Sequence, residues 1–568
     1  MRSYPHFAVR AVIALATMLL TLNFSAASAA SSSQSGEKPQ TPEAASQLQQ
    51  DQKYLPGYIL VAPNYSTNTY LIDRQGRTIN VWRTDYTPAL STYLLTNGHL
   101  LRSGALPQGQ QPMPGLIPGS GGRVQELTWK GEVVWDYHYA SAQRLPNHDI
   151  LKLPNGNVLM IVREVKTAAE AAAAGRSASG EFPPDFLMEV KPTGLTNGEI
   201  VWEWHVWDHL IQDHDATKAN FGDVAAHPEL VDINITGGAG NPQLPGRGAG
   251  AGRGMGGGVG QGMGRGMGFG MGGGGMGGMS DWTHMNSLAY NAELDQIMMT
   301  SYGLSEIWII DHGTTTAEAA GHTGGHYGKG GDLLYRWGNP AAYRAGTASD
   351  RTLFSPHNAH WIPRGLPGEG HILIFNNGVR RPDGNYSSVD EFVPPVDKDG
   401  HYTLKPGTYE PKAAVWSFAA PRKTDMYSSS ISGAQRLSNS NTLICLGEAG
   451  LIFEVTAQKE VVWKFTNPDQ GNGGPFGRGG GGFGFGGRGF GAAGPLGRGG
   501  FPGAPAGAPT GRPTAESGDL TNIWTGGTMS PGGNAVFRAP FFTPDFPAFK
   551  DKDMTPGKTV GELVTESR

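Results

Sequence analysis

Apolar and polar residues alternate in short runs along this chain, and Asn-Gly, Pro and Gly close most of the runs. Alternation with a period of two, bounded by such breakers, predicts β-strands rather than helices. The runs group into a unit of two halves. The second half is plainest in RVQELTWKGEVVW at 123–135: a strand, a tight Lys-Gly turn, and a strand ending in Trp135. It recurs as NTYLIDRQGRTINVW to Trp82, FLMEVKPTGLTNGEIVW to Trp202, EIWIIDH with DLLYRW to Trp337, SSVDEF with AAVW to Trp416, and LIFEVTAQKEVVW to Trp463. First halves are STYLLTNGHLLR at 91–102, HDILKLPNGNVLMIV from His148, HMNSLAYNAELDQIMM from His284, HNAHWIPRGLPGEGHILIF from His357, SGAQRLSNSNTLICL at 432–446, and a worn TMSPGGNAVFR at 528–538.

Six copies of a four-strand antiparallel unit predict an all-β fold, a six-bladed β-propeller. The chain opens with a second half, 68–82, and closes with a first half, 528–538. Pairing of these N- and C-terminal segments is predicted to complete the last blade and remove the free edges of an open array.

Composition refines the boundaries. Residues 1–29 read as an export signal: Arg2 and Arg10, an apolar stretch at 11–22, and a small-residue exit at Ala27-Ser28-Ala29. The apolar stretch is shorter than the roughly 20 residues of a membrane span. Residues 30–53 are polar and are predicted to be a disordered leader; 54–555 form the propeller, and 556–568 a C-terminal tail. Many of the 87 glycines fall in two segments, about 237–279 and 471–512, which lack branched apolar residues and are predicted to be disordered insertions. They emerge on the histidine-bearing face, either as mobile covers or as tolerated surface additions. With one cysteine, Cys445, no intramolecular disulfide forms. A net charge of −5 implies neither nucleic acid nor a membrane surface as partner; a homodimer is left open.

The candidate chemistry lies where the repeat returns an imidazole. A residue opening the innermost strand of a blade faces the channel mouth, and His148, His284 and His357 hold that place in blades two, three and four. Leu90, Ser432 and roughly Trp524 hold it in the others. The turns between second and third strands, on the same face, carry Arg102, Arg163, Tyr302, Arg381, Glu448 and Arg538. Several arginines and histidines around one opening suit an oxyanion, because guanidinium presents fixed donors. The same imidazoles also suit zinc or copper. No His-Glu-x-x-His spacing accompanies them, and neither metal nor cofactor is expected.

From 58 to 555 the chain resembles the bacterial arylsulfate sulfotransferase (arylsulfotransferase) family. The likeness rests on GYILVAPNYSTNTYLIDRQGR, HDILKLPNGNVL, DWTHMNSLAYNAELDQI with SEIWIIDH, GDLLYRWGNP, HNAHWIP with ILIFNNGVRRPDGNYSSVDE, and NAVFRAPFFTPDFPAF. The resemblance implies a six-bladed propeller exported to the periplasm. It would move a sulfuryl group from a phenolic sulfate ester to a phenol, through a sulfohistidine and without a nucleotide sulfate donor. By motif, the family's site histidines fall on His284 and His357, and its arginine on Arg381 or the adjacent Arg380. The segment matching the family's nucleophilic histidine, 447–452, reads GEAGLI and holds no imidazole. Another group then takes the sulfuryl, or transfer is direct, or the reaction is lost.

The residues expected to act are His284 or His357 as nucleophile or general base and His148 as orienting partner. Arg381, Arg163 and Arg380 are expected on the sulfate, with Tyr302 and Asn358 on the substrate. A sulfuryl group in flight spreads charge over its oxygens as a phosphoryl group does, and imidazole titrates near neutrality. Two other classes remain beside the sulfotransferase: a non-catalytic propeller binding an anionic or aromatic ligand or partner, and a metal-dependent enzyme on the same scaffold.

Overall fold

The structure is a computed structural model, and it describes residues 53–107, 110, 112–113, 119–235, 282–405, 407–471 and 533–567. The predicted export signal, residues 30–52, the glycine-rich segments 237–279 and 472–512, and Trp524 lie outside the described residues.

Three strands come first: β1 (Tyr58–Val61), β2 (Asn68–Ile72) and β3 (Thr78–Arg83). Five complete antiparallel sheets follow, each running from its innermost to its outermost strand. Blade I holds β4 (Pro88–Leu94), β5 (Leu100–Ala105), β6 (Gly122–Leu127) and β7 (Val133–His138). Blade II holds β8 (Arg144–Lys152), β9 (Val158–Glu164), β10 (Asp185–Pro192) and β11 (Gly198–His205). Blade III holds β12 (Met285–Asn291), β13 (Gln296–Ser301), β14 (Glu306–Asp311) and β15 (Tyr335–Trp337). Blade IV holds β16 (His357–Trp361), β17 (Ile372–Asn376), β18 (Ser388–Phe392) and β19 (Trp416–Phe418). Blade V holds β20 (Gly433–Arg436), β21 (Thr442–Leu446), β22 (Leu451–Val455) and β23 (Val461–Thr466). Finally β24 (Phe541–Phe542) pairs antiparallel with β1, at Tyr58↔Phe542 and Ile59↔Phe541, and completes blade VI. The six sheets form a ring, the six-bladed propeller that the repeat predicts.

Closure differs in detail from the sequence pattern. Three strands come from the N-terminal side and one from the C-terminal side, where the halves predict two and two. β1 reads YILV, a continuous apolar run with no alternation to mark it, because it is covered on both faces. Within the worn copy at 528–538, Val536 makes a single bridge, to Pro63, and the innermost strand lies further on at 541–542. The residues expected as a tail dock on blade VI instead. Thr78 donates through its N–H and its hydroxyl to the Lys558 carbonyl, at 2.9 and 2.8 Å. The helix α1 (Val560–Glu566), capped by Thr559 and Glu562, then buries Val560 in the core between blades V and VI.

The middle strands are buried on both faces, so they read as nearly unbroken apolar runs such as VLMIVRE in β9 and ILIFN in β17. Their side chains gather into six clusters, one between each blade and the next. The Trp that ends each second half then explains itself. Trp82 donates its indole N–H to the Thr128 carbonyl at 3.0 Å, Trp135 to Asn197 at 3.0 Å, and Trp337 to Pro411 at 2.6 Å. Trp416 donates to the Ala457 carbonyl at 3.2 Å, Trp463 to Arg74 at 2.8 Å, and Trp202 to the Thr314 hydroxyl at 3.1 Å. Each acceptor lies between the third and fourth strands of the following blade, so one repeated residue latches every blade to its neighbour. An indole can do this because it buries a large ring while its N–H still finds a partner.

A chain ending at residue 532 loses β24 and α1, and bares the edge of β1. It is expected to give no cooperative thermal transition by circular dichroism. A melt within a few degrees of the full chain would show that the ring closes without its C-terminal strand.

Candidate active site

At the start of four inner strands the ladder slips: between Pro88 and Thr92, Pro146 and Ile150, Met285 and Ser287, and His357 and His360. A bulge leaves residues unpaired and re-aims their side chains. Here it places left-handed backbone on non-glycine residues, with φ of 85° at Leu90, 52° at His148, 44° at His284 and 55° at Asn358. Each such residue costs about 1–3 kcal/mol and persists only where its surroundings hold it. Gly119 shows how closely they do: a Cβ there would meet Leu90 at 2.8 Å and the His148 ring at 2.9 Å.

The bulges bring the three predicted histidines together. The His148 and His284 rings lie 4.5 Å apart between centroids, Tyr302 lies 4.7 Å beyond His284, and His357 lies 5.5 Å beyond Tyr302. Tyr302 also donates its backbone N–H to the His284 carbonyl at 3.1 Å and its hydroxyl to the Ser429 carbonyl at 3.1 Å. His284, half-buried, is the most open of the three; His148 is 2 % exposed and His357 is 1 % exposed.

Two buried carboxylates hold this row from below. Asp185, on β10, accepts from the Thr283 hydroxyl at 2.6 Å and the Met285 N–H at 2.8 Å, one on each side of His284. Its other oxygen accepts from the Asn147 amide at 3.1 Å, and the Asn147 carbonyl oxygen lies 3.3 Å from His148 Nδ1. Arg163, predicted at the sulfate, lies behind, 3.6 Å from Asp185. Asp149, next to His148, accepts from the Tyr93 hydroxyl at 2.6 Å, the Leu288 N–H at 2.9 Å and the Arg538 guanidinium at 2.6 Å. Arg538 donates further to the Tyr93 hydroxyl at 2.8 Å and the Asn286 carbonyl at 3.1 Å, while its Nε–H has no acceptor among the described residues. Blades I, II and III and the C-terminal segment thus meet at one ion pair.

His357 is placed differently from its two counterparts. The left-handed residue of blade IV is Asn358, one position later, and His357 turns inward. Its Nδ1–H donates to Asn377 Oδ1 at 2.8 Å, and its Nε2 accepts from the Ile431 N–H at 3.2 Å. Both ring nitrogens are engaged, and burial above all pushes the imidazole down to about 3, with His284 and Arg538 adding to the shift and Asn377 opposing it. His357 is a neutral wall of the site. Asn358 accepts from the Ala434 N–H at 3.2 Å and joins blade IV to blade V.

The arginine-rich mouth is not assembled as predicted. Arg381 donates to the Tyr386 carbonyl at 3.1 Å and the Ser388 hydroxyl at 2.6 Å, and its guanidinium lies 4.4 Å from the Tyr386 ring, so its own loop engages it. Arg380 is exposed. Arg102 is fully buried inside β5, on the Thr84 and Gln125 side chains and the Tyr86 carbonyl. Glu448 occupies the blade V turn where the resemblance implies a histidine, accepting from the Ser429 N–H at 3.0 Å and from the Ser429 and Ser430 hydroxyls at 2.6 Å each. Asp149, Asp185 and Tyr93 were not singled out from sequence; the only local signal was an Asp directly after His148. Among the described residues, the one group of three placed to hold a metal ion is His209, His322 and Asp332, and none of the axial histidines belongs to it.

The six sheets and their inner-strand bulges define a six-bladed propeller with a histidine row contributed by three neighbouring blades. The family model described as Arylsulfotransferase (ASST) matches residues 43–471, and the chain belongs to that family. Aryl sulfotransferase activity in general goes with that membership. No curated protein matches the chain. Among solved structures, a protein of unknown function from Bacteroides caccae is 11 % identical, with 72 % of this chain and 93 % of that chain covered and a TM-score of 0.34. A virginiamycin B lyase from Staphylococcus aureus, in an inactive form with quinupristin, is 8 % identical, with 73 % and 85 % covered and a TM-score of 0.31. At these scores the fold assignment rests on the sheets themselves.

Asp149→Asn leaves the Arg538 guanidinium without its counter-charge and is expected to cost about 3 kcal/mol in urea unfolding. Arg538→Met in the same chain should recover most of that loss; equal destabilisation by the double variant would deny the pairing. Acid supplies a second check. Because the folded His357 titrates near 3 rather than 6.5, the unfolded chain binds the extra proton between those values. Stability from this group is therefore full above pH 6.5 and declines as the pH falls through that window. His360, also pushed down by burial, acts in the same sense. His357→Gln should flatten the fall of the urea midpoint between pH 6.5 and 4; an unchanged slope would contradict the assignment.

Proposed function

We propose that this chain is an exported, periplasmic sulfotransferase that moves a sulfuryl group from a phenolic sulfate ester to a phenol without a nucleotide donor, with His284 as the nucleophile. The observation that carries the reading is the half-open His284 ring, flanked at 4.5 and 4.7 Å by His148 and Tyr302. His357 is unsuited to attack, since both of its nitrogens are engaged.

The ester's sulfuryl group lies at the half-open His284 ring, and its aryl ring lies along Tyr302. A lone pair of the His284 ring attacks sulfur; the N–S bond forms as the S–O bond to the aryl group breaks, and a phenolate leaves. The acceptor phenol's oxygen then attacks the same sulfur and the N–S bond breaks, returning His284. One proton passes from the acceptor phenol to the departed phenolate, and His148 is placed to carry it. Glu448 does not replace the family's fifth-blade histidine in this scheme. Its carboxylate is taken up by the Ser429 N–H and the Ser429 and Ser430 hydroxyls.

His284→Ala is expected to lower transfer from a chromogenic aryl sulfate to phenol by at least about 100-fold. Brief exposure of the wild type to sulfur-labelled ester should leave an acid-labile, base-stable label on His284. Undiminished turnover in the variant would remove the nucleophile; lost turnover with no label would leave direct transfer.

A further inference from the structure

A second arrangement lies at the outer edge between blades II and III. The 3-10 turn Val206–His209 follows β11, the outermost strand of blade II, and the connection 312–334 precedes β15, the outermost strand of blade III. His209 from the first and His322 and Asp332 from the second bring their ligand atoms within 4.8 Å of one another. His209 is 0 % exposed and fixed in place. Its ring stacks on Trp204 at 5.6 Å, and its Nε2–H donates to the Ala319 carbonyl at 2.8 Å. A carbonyl only accepts, so that bond fixes a proton on Nε2 and, in the neutral ring, leaves the lone pair on Nδ1.

That Nδ1 faces Asp332 Oδ1 at 2.8 Å, and the same oxygen lies 2.8 Å from His322 Nδ1. A carboxylate also only accepts. An ion held by these atoms lies to one side of both contacts and replaces the two N–H···O bonds as the ligand atoms part slightly. The three ligand atoms converge on one point from two separate elements, and a single cation there would use all three groups. The loop is shaped for this approach: a Cβ at Gly331 would meet the Ala319 carbonyl at 2.0 Å and His209 Nε2 at 2.6 Å. Trp204, which stacks on His209, also donates its indole N–H to the Gly331 carbonyl at 2.7 Å.

We propose that His209, His322 and Asp332 bind one divalent transition-metal ion of the zinc class, which fastens the outer strand of blade II to that of blade III. Two imidazoles and one carboxylate suit zinc, whereas magnesium and calcium prefer oxygen ligands. The His322 side chain is 59 % exposed, which gives the ion a path in and leaves a position for water. The ion binds the folded ring and not the open chain, so it stabilises by mass action.

The full chain, stripped with chelator and dialysed, is titrated with zinc chloride and separately with magnesium chloride, followed by calorimetry and thermal melting. Zinc is expected to bind at one equivalent that raises the melting temperature, and magnesium to do nothing. His322→Ala, at an exposed position that the fold does not need, should weaken that equivalent by at least about tenfold. Asp332→Asn should do the same, and His284→Ala should keep it. No zinc uptake, uptake unchanged in His322→Ala, or uptake lost in His284→Ala instead would each overturn the proposal.

Discussion

The blades are set in register by the indole N–H that each gives to the next, and the candidate site depends on that register. The histidine row takes His148 from blade II, His284 and Tyr302 from blade III, and His357 from blade IV, with centroids 4.5 to 5.5 Å apart. No single sheet holds enough of it to work alone. Rings so spaced lose contact if one blade moves outward by an ångström or two, so precision at the axis is set at the rim. Six apolar clusters supply most of the adhesion, but apolar contact has no direction and fixes no angle. A hydrogen bond to one acceptor fixes the relative position of neighbouring sheets, and six in a ring leave little freedom to open.

Within the ring, charge is arranged in compensated pairs. Asp149 faces Arg538, Asp185 faces Arg163, and the histidines stand between these pairs and the mouth. Taking a charge out of water is costly unless a partner and hydrogen bonds satisfy it, and both carboxylates are fully satisfied. Their second effect is positional. Asp185 grips the chain on both sides of His284, and Asp149 ties the strand carrying His148 to Leu288 of the next blade. The bulges alone would leave several backbone conformations open to the histidines; these carboxylates select one. The Arg538 guanidinium is engaged by Asp149 and Tyr93, so the axis presents no broad basic surface.

Much of the fold was legible because the repeat has a physical cause that survives sequence drift. The Trp of each outer strand makes an inter-blade bond, and the alternating runs are buried between blades. The innermost strand of blade VI was not legible: two residues carry no periodicity, and β1 beside it is uniformly apolar. The three histidines were legible as a group, since an inner-strand position is the same place in every blade. Their differences were not. A slip of one residue puts the left-handed conformation on Asn358 rather than His357, and it is set by Asn377 and Ile431, far along the chain. The arginines failed for a related reason. A guanidinium reaches several ångströms from its Cα, and Arg381 and Arg102 find acceptors in nearby loops before they reach the axis.

The six interfaces are not equal. Five of the indoles donate to a main-chain carbonyl. At blades II and III the acceptor is the Thr314 hydroxyl, a rotor, in the connection between β14 and β15. That interface also carries His148 on one side and His284 on the other, so looseness there would fall on the pair of rings closest to each other. The connection compensates by climbing back along β11: Thr316 accepts from the Glu203 N–H, Gly331 from Trp204, and Ala319 from His209. Extra fastening is therefore found at the interface that carries both His148 and His284.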